Sequence, residues 1–427
     1  MLNIHLIRKE PAKIEVLLQR KDPTIHLKPI LALDEKVREI IVEAETLQAK
    51  RNGLSKEIGE KKRKGEDTSL IMQEVAGLGD KVSALNHERT ELEKQLHEAL
   101  ASLPNIPFED IKISADPKDN VCLRSWGQKR EFDFPFKNHV DLNEKLHLFD
   151  FKRAAKTSGS GWPAYRNLGA RLEWALLNYM IDIHLENGFE FWLPPLLVRP
   201  EAMYGAGQLP KFEKQLFKIN DEDYNLYLIP TSEAVLNGLH ADEIMMAEEL
   251  PKRYVSYTPC FRREAGAAGS QERGLIRMHQ FNKVEMFAYT KPEESEAIFE
   301  QMVASAEQIL QGLNIHYRSM LLVTGDMSFA SRKTIDVEVW LPGQDRYYEV
   351  SSISNCGDFQ ARRSMIRYKG EKPEFVHTLN GSGLATSRLM VALLENNQRK
   401  DGSVEIPLML HKYLNGMKEL CPISSTT

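Results

Sequence analysis

The sequence predicts an α+β fold: an antiparallel sheet flanked by helices, preceded by a long antiparallel α-helical coiled-coil arm. Three observations carry that reading. Within the first hundred residues, two apolar series recur on an alternating four-three spacing, the period-3.5 signature of a coiled coil. The rest of the 427-residue chain holds more strand-like runs than βαβ units, with no parallel winding pattern. Between the two styles lies SLPNIPFED, residues 102–110, where prolines interrupt regular structure. The expected division is therefore 1–104 and 105–427.

Residues 1–30 read as a short helix and a connecting segment. Leu33, Val37, Ile40, Ala44, Leu47, Leu54 and Ile58 then form one apolar seam, which only Arg51 breaks. Ile71, Val75, Leu78, Val82, Leu85, Leu92, Leu96 and Ala99 form the second, with Arg89 at one seam position. Between them GEKKRKGEDTS carries Gly59, Gly65 and a charge run, which predict a turn and an antiparallel hairpin over about residues 33–100. At about 1.5 Å per residue, each arm of ~28 residues is about 40 Å long. Such a rod has little interior and must project from a body or pack on another rod. A dimerisation rod and a nucleic-acid grip both fit the pattern. Lys61, Lys62, Arg63 and Lys64 near the turn read either as a solvated face or as phosphate contacts.

The body begins with weakly patterned residues, 111–165, in which Gly and Ser cluster at KTSGSGWPAY. Leu172, Ala175, Leu176, Tyr179, Met180 and Ile183 recur at helical spacing, and Asn187-Gly188 supplies a left-handed helix end. Residues 189–193 read as a strand that Pro194-Pro195 stops. LYLIPTSEAV (226–235) reads as a strand leading into a helix cap at Thr231-Ser232-Glu233. Residues 258–289 read as two strands joined by a loop, and 292–313 as an amphipathic helix. Residues 334–352 form a hairpin around Pro342-Gly343, and 375–398 a strand, a Gly/Ser turn and a helix.

Composition excludes several classes. The formal charge is −5, so no global positive field marks a nucleic-acid binder, although a local basic patch is compatible with it. Cys122, Cys260, Cys356 and Cys421 are far apart and form no C-x-x-C pair, so neither zinc nor a disulfide framework is expected. The first residues lack the pattern of a signal peptide. No apolar run approaches the ~18 residues of a membrane helix. The expectation is a soluble, cytoplasmic, reduced protein.

The chemistry concentrates in the body. A strand alternates faces with period two, yet Arg277, His279, Phe281, Lys283 and Glu285 share one face. Arg262 and Glu264 do the same on the strand before. With them stand the carboxylates Glu233 and Glu349, the arginine Arg388 and the hydroxyls of Thr231, Ser352 and Ser382. Any single pair of these reads as a structural ion pair. His279 alone reads as structural. The whole set on one sheet is costly unless a multiply charged anion binds. Arginine forks match phosphate, and carboxylates can hold Mg²⁺ beside it. A nucleoside triphosphate is implied. No G-x-x-x-x-G-K-[ST] or strand-linked G-x-G-x-x-G occurs, so its phosphates would lie on the sheet.

These residues fall within three segments: GFEFWLPPLLV with Pro195; FRRE, a variable loop and RGLIRMHQF; and GSGLATSR ending at Arg388. Together they resemble the three motifs of the class II aminoacyl-tRNA synthetases. PTSE, TPCFRREAGAAG, HQFNKVE, EVSSISNC, HTLNGSGLA and the helical hairpin narrow the resemblance to the bacterial-type seryl-tRNA synthetases, over about residues 1–415. Ser387 stands where a glycine is usual, and SGSGWPAYRN replaces the more usual segment before the first motif.

The resemblance implies activation of L-serine with ATP and its transfer to tRNA-Ser and, where that tRNA exists, tRNA-Sec. It implies a homodimer and Mg²⁺ with ATP. By similarity, Arg262 holds the α-phosphate, Glu264 takes the adenine amino group, Phe281 lies under adenine, and Arg277 reaches the phosphates. Arg388 clamps the γ-phosphate, and Glu349 and Ser352 hold Mg²⁺. Arg263, Met278, Val350 and Ser351 complete the ATP site. Arg262, Arg388 and Glu349 carry catalysis. The serine site is Thr231, Ser232, Glu233, Arg262, Glu285, Asn380 and Ser382, with Glu285 on the ammonium and Glu233 and Ser382 on the hydroxyl. The hairpin is the tRNA-binding arm, with Lys61, Lys62, Arg63 and Lys64 as candidate contacts. Two other readings remain: a related ligase with another acceptor or amino acid, and a non-catalytic RNA-binding coiled-coil protein.

Overall fold

The structure is a computed structural model that describes residues 1–264 and 274–423. Its chain divides into two compact units, Met1–Pro104 and Asn105–Thr427.

The first unit is helical. Helix α1 (Ile4–Lys9) starts at Asn3, whose side chain accepts from the His5 amide, and α2 (Pro11–Gln19) carries proline in its first turn. Helices α3 (Lys28–Arg63) and α4 (Ser69–Ala101) then pack against each other as an antiparallel pair. Every apolar seam position is buried or half-buried, with Val37, Ile40, Ala44, Leu78 and Val82 the most enclosed. The two seam arginines are accommodated by local means. Arg51 lies against Gly79, where a Cβ would still sit 3.8 Å from the guanidinium, and Arg89 pairs with Glu93 at 2.8 Å. Lys50 reaches across to Glu74 at 2.8 Å. At the base, Asp34 is buried between Arg8 and Arg38, at 2.5 and 3.1 Å. Burial opposes its charge, but the hydrogen bonds from the two guanidiniums outweigh it and lower its pKa.

The turn is shorter than the sequence suggests. Gly59 remains inside α3, and only Gly65 takes a left-handed conformation, at φ +77°. A glycine inside a helix costs only about 1 kcal/mol, which packing along a long seam readily offsets. Lys61, Lys62 and Arg63 form the last turn of α3 and Lys64 caps it, a place where cations oppose the helix dipole. Lys61 also pairs with Glu57 at 2.9 Å.

The second unit is built on an eight-stranded sheet. Numbered in chain order, its strands are β1 (Val121–Trp126), β2 (Glu190–Trp192), β3 (Lys252–Phe261), β4 (Gln280–Thr290), β5 (Tyr317–Leu321), β6 (Lys333–Leu341), β7 (Arg346–Gly357) and β8 (His377–Ala385). Their spatial order is β1-β5-β6-β7-β8-β4-β3-β2. All neighbours are antiparallel except β2 and β3. Helices α5 (Phe151–Ser158), α6 (Asn167–Glu186), α7 (Glu233–Gly238), α8 (Ser295–Gly312), α9 (Phe359–Ser364) and α10 (Thr386–Asn396) accompany it.

Strand β4 shows how the sheet separates core from site. Val284, Met286 and Ala288 join the main core with Leu172, Leu176 and Met180 of α6 and Phe299 and Met302 of α8. On the alternate face Phe287 and Tyr289 build a second cluster with Leu236, Met245 and Val376. That face changes character toward the strand's start, where Lys283 and Glu285 stand. At β8 the expected Gly/Ser turn is absent: Gly381, Ser382 and Gly383 lie inside the strand, beside a register shift between Ser382 and Ala385. The glycines serve close approach instead. A Cβ at Gly381 would meet Ile353 at 2.7 Å, and one at Gly383 would meet His184 at 2.2 Å.

Candidate active site

Strands β3 and β4 pair with Cys260 opposite Phe281, Thr258 opposite Lys283 and Ser256 opposite Glu285. Beyond the paired ends the ladder continues through the Arg262 amide, which donates to the His279 carbonyl at 2.9 Å. The loop between them, residues 265–273, which the second motif includes, lies outside the described residues. Glu264 turns back at φ +47° and accepts from Arg277 at 2.6 Å. Arg262 rests over the Phe281 ring, 5.1 Å from its centroid, and donates to the Pro230 carbonyl at 3.3 Å.

From the other side β7, β8 and the first turn of α10 close the cleft. Arg388 donates to the Glu349 carbonyl at 2.6 Å and lies 3.7 Å from its carboxylate. The resulting cavity holds about 160 Å³ and brings together Arg262, Glu264, Arg277, Met278, Phe281, Glu349, Val350, Ser382 and Arg388 of the expected site. Lys283 and Ser387 line it too. The serine at 387 is thus part of the wall, where a glycine would leave backbone alone.

A buried polar cluster adjoins the cleft. Lys283, only 5% exposed, donates to Thr231 at 2.7 Å and forms an ion pair with Glu285, which is 2% exposed. Glu233 accepts from Gln360 at 2.6 Å and from Asn380 at 3.0 Å. Burial pushes its carboxyl up to about 7, and the neighbouring Glu285 charge adds to the shift. A group held near neutral pH can accept or donate a hydrogen bond, which suits a site for a hydroxyl.

Four expected residues lie elsewhere, among them the half-buried Ser352, which stands opposite Asp336 and does not line the cleft. The exposed Arg263 does not line the cleft, although its amide donates to the Gln215 carbonyl at 3.0 Å. Ser232 is fully buried and accepts from Ser256 at 2.7 Å. Ser351 is likewise buried and donates to the Ser382 carbonyl. The two serines can serve the site only through backbone.

Other residues had no role assigned to them. Lys283 was visible on the period-two face of β4, but its partners are set by the fold. Gln360 gave no local signal, because α9 reaches Glu233 only through tertiary packing. Asp336 sits opposite Ser352 in the β6–β7 register, with a buried carboxylate oxygen that has no hydrogen-bond partner. Burial, reinforced by the Glu349 charge, pushes its carboxyl well above the ordinary range. Glu349 and Ser352 offer hard oxygen donors of the kind Mg²⁺ takes. Among the described residues no group of three or more His, Cys, Asp or Glu side chains could hold a metal. A cation here therefore needs oxygens from a bound ligand.

Among the described residues the arrangement converges cations and carboxylates but aligns no nucleophile with a base. His279 is held in place, its ring nitrogen 3.0 Å from the Arg262 carbonyl. Such a cleft suits a reaction catalysed by positioning and by neutralising phosphate charge.

Comparison with known proteins agrees with the geometry. Residues 1–107 match the seryl-tRNA synthetase N-terminal domain, and residues 216–397 match the tRNA synthetase class II core domain (G, H, P, S and T). The serine–tRNA ligase of Chlamydia pneumoniae is 53% identical over 424 residues, covering 99% of both chains. That of Chlamydia caviae is 54% identical over 424 residues, covering 99% of this chain and all of its own. Among solved structures, seryl-tRNA synthetase from Pyrococcus horikoshii complexed with ATP superposes with a TM-score of 0.91 at 39% identity, over 99% of this chain and 100% of its own. The cytoplasmic serine–tRNA ligase of Naegleria fowleri in complex with AMP superposes at 0.87 and 28% identity, over 99% of both chains.

Proposed function

The chain belongs to the seryl-tRNA synthetase family, and from that premise we propose how its residues divide the work. The activity is the ATP-dependent joining of L-serine to tRNA-Ser. A serine carboxylate oxygen attacks the α-phosphorus, the bond to the bridging oxygen breaks, and diphosphate leaves. The seryl-adenylate then passes its acyl group to the terminal ribose hydroxyl of the tRNA, releasing AMP.

Both reactants of the first step are anions. Arg262 holds the α-phosphate, Arg277 and Arg388 hold the outer phosphates, and Glu264 with Phe281 fixes adenine. Mg²⁺ would be held by Glu349 and Ser352 and supplies further charge neutralisation when bound. Asp336 lies across the strand pair from Ser352. Glu285 takes the substrate ammonium, and Lys283 screens its charge from the serine carboxylate. Glu233, oriented by Gln360 and Asn380, and Ser382 meet the side-chain hydroxyl.

The convergence of three arginines on a cleft beside the buried Thr231–Lys283–Glu285–Glu233 cluster carries this reading. The test is diphosphate exchange into ATP with each amino acid in turn. Serine alone should support it at full rate. Equal exchange with alanine would sink the hydroxyl assignment, because a site built to bond a hydroxyl rejects the analogue lacking it.

The helical hairpin is the tRNA grip in this reading, with Lys62, Arg63 and Lys64 freer to meet phosphate than the paired Lys61. A homodimer is supported by apolar side chains around the first motif, with Leu193 71% and Trp174 55% exposed. Charging of tRNA-Sec and a cytoplasmic location are part of the same proposal. Among the described residues no helix is long and apolar enough to cross a membrane.

A further inference from the structure

The segment before the first motif, SGSGWPAYRN, has no part in the division of labour above, yet it is fastened to the cleft. Helix α5 ends at Gly159, and the next residues run alongside β4. The His279 amide donates to the Gly161 carbonyl at 3.0 Å. Gly161 adopts φ +83°, and a Cβ there would meet the His279 ring at 2.7 Å. Only glycine permits both the left-handed turn and the close approach.

The consequence is an aromatic cluster beside the cleft, outside its lining residues. The Trp162 ring lies 5.4 Å from His279 and 5.8 Å from Phe217, and Phe217 lies 6.3 Å from His279. All three are half-buried. His279 in turn contacts the carbonyl of Arg262, so the cluster is one residue removed from the proposed α-phosphate contact. Cations lie on both sides of it along the chain, with the acidic run Asp221-Glu222-Asp223 exposed beyond Lys218. Lys152 and Lys156 are exposed one helical turn apart on α5, and Asp150 beside them is taken up by Arg153 and Arg166. Lys214 and Lys218 flank Phe217 and are exposed, while Glu213 accepts from the Tyr227 hydroxyl.

Flat apolar rings interleaved with cations are the chemistry that binds single-stranded nucleic acid, whose bases stack while its phosphates meet the cations. We propose that Trp162, backed by Phe217 and His279, is a stacking platform for a base of the unpaired 3′ end of the tRNA, with Lys152 and Lys156 placed for its backbone. The inference rests on the functional reading above. Acyl transfer requires the 3′ terminal ribose to reach the adenylate, and the unpaired nucleotides must then pass the mouth of this cleft. A platform beside Arg262 holds that strand without touching ATP or serine.

The test compares binding of two transcripts, intact tRNA-Ser and tRNA-Ser trimmed of its unpaired 3′ nucleotides, to the full-length parental protein and to Trp162→Ala and Trp162→Phe. Base–aromatic stacking of the usual strength makes the intact transcript bind about 5–100-fold more tightly than the trimmed one. Trp162→Ala should lose most of that difference, Trp162→Phe should retain most of it, and the trimmed transcript should bind all three proteins alike. The proposal is overturned if Trp162→Ala keeps the full difference. It is also overturned if the variant weakens both transcripts equally, since Trp162 is then only a brace for His279. Serine-dependent diphosphate exchange by the parental protein is measured alongside. Its absence would strike the functional reading itself, whatever the transcripts do.

Discussion

The arm and the cleft use the same chain in opposite ways. Along the arm, each seam residue meets neighbours three and four positions away and a partner directly across the hairpin. A misfit such as Arg51 is absorbed locally, by Gly79 opposite it. In the cleft, the contacts are drawn from several separate stretches of chain. Thr231, Lys283, Glu349, Gln360, Asn380 and Arg388 arrive from β4, β7, β8, α9, α10 and the loop before α7. A misfit there propagates to several charged groups at once. Substitutions should therefore be graded along the arm and severe in the cleft.

The sharpest break is Arg262→Ala. Losing the cation at the reacting phosphorus should lower serine-dependent diphosphate exchange by about 10²–10³-fold or more, with the circular-dichroism melt little changed. Exchange near the parental rate would make Arg262 structural.

Removing residues 35–98 and bridging the ends with a short Gly/Ser linker breaks the comparison from the other side. None of those residues lines the cleft, so exchange should survive. Aminoacylation of tRNA-Ser should fall by roughly 10²-fold or more, as several phosphate contacts vanish together. Normal charging by the armless protein would show that the rod serves another partner.

Within the cleft, Glu285→Gln should separate amino acid from nucleotide. A hydrogen bond to a charged group contributes roughly 1.5–3 kcal/mol, so the serine KM should rise about 10–100-fold while the ATP KM stays within about twofold. Steady-state exchange kinetics read both, and an unmoved serine KM would remove Glu285 from the ammonium site.

The smallest effect concerns Glu173, a buried carboxyl of α6 that accepts from Asn282 at 3.0 Å and from Thr386, joining α6 to β4 and α10. Burial pushes it up to about 7. The folded protein thus binds this proton more readily than the unfolded chain. Its stabilising contribution is complete below the unfolded value near 4.5 and is lost as pH rises through about 7. Glu173→Gln has no charge to bury, so its melting temperature relative to the parent should climb by about 2–4 °C between pH 5 and pH 8. A difference that is flat across that range would show that Glu173 keeps an ordinary pKa.

Much of this molecule was legible before its structure. The two seams, the break near residue 104 and the hairpin at Pro342-Gly343 depend on periodicity and on turn chemistry, which act over a few residues. The period-two face of β4 likewise announced Arg277, Phe281, Lys283 and Glu285 as a set. Where reading failed, a longer-range contact had decided. Gly381 and Gly383 looked like a turn but are strand residues thinned for Ile353 and His184. Ser232 and Ser351 sat in the right motifs, yet both are buried, Ser232 at the cap of α7 against Ser256 and Ser351 at a register shift in β7. Gln360 and Asp336 had no local signature, because one reaches Glu233 from a separate helix and the other meets Ser352 only through strand register. The sequence by itself determined the elements, the charge inventory and the face on which most of it lies. Tertiary structure alone decided which carboxylates keep their protons and which hydroxyls reach the cleft, since those depend on burial and on neighbours distant in the chain.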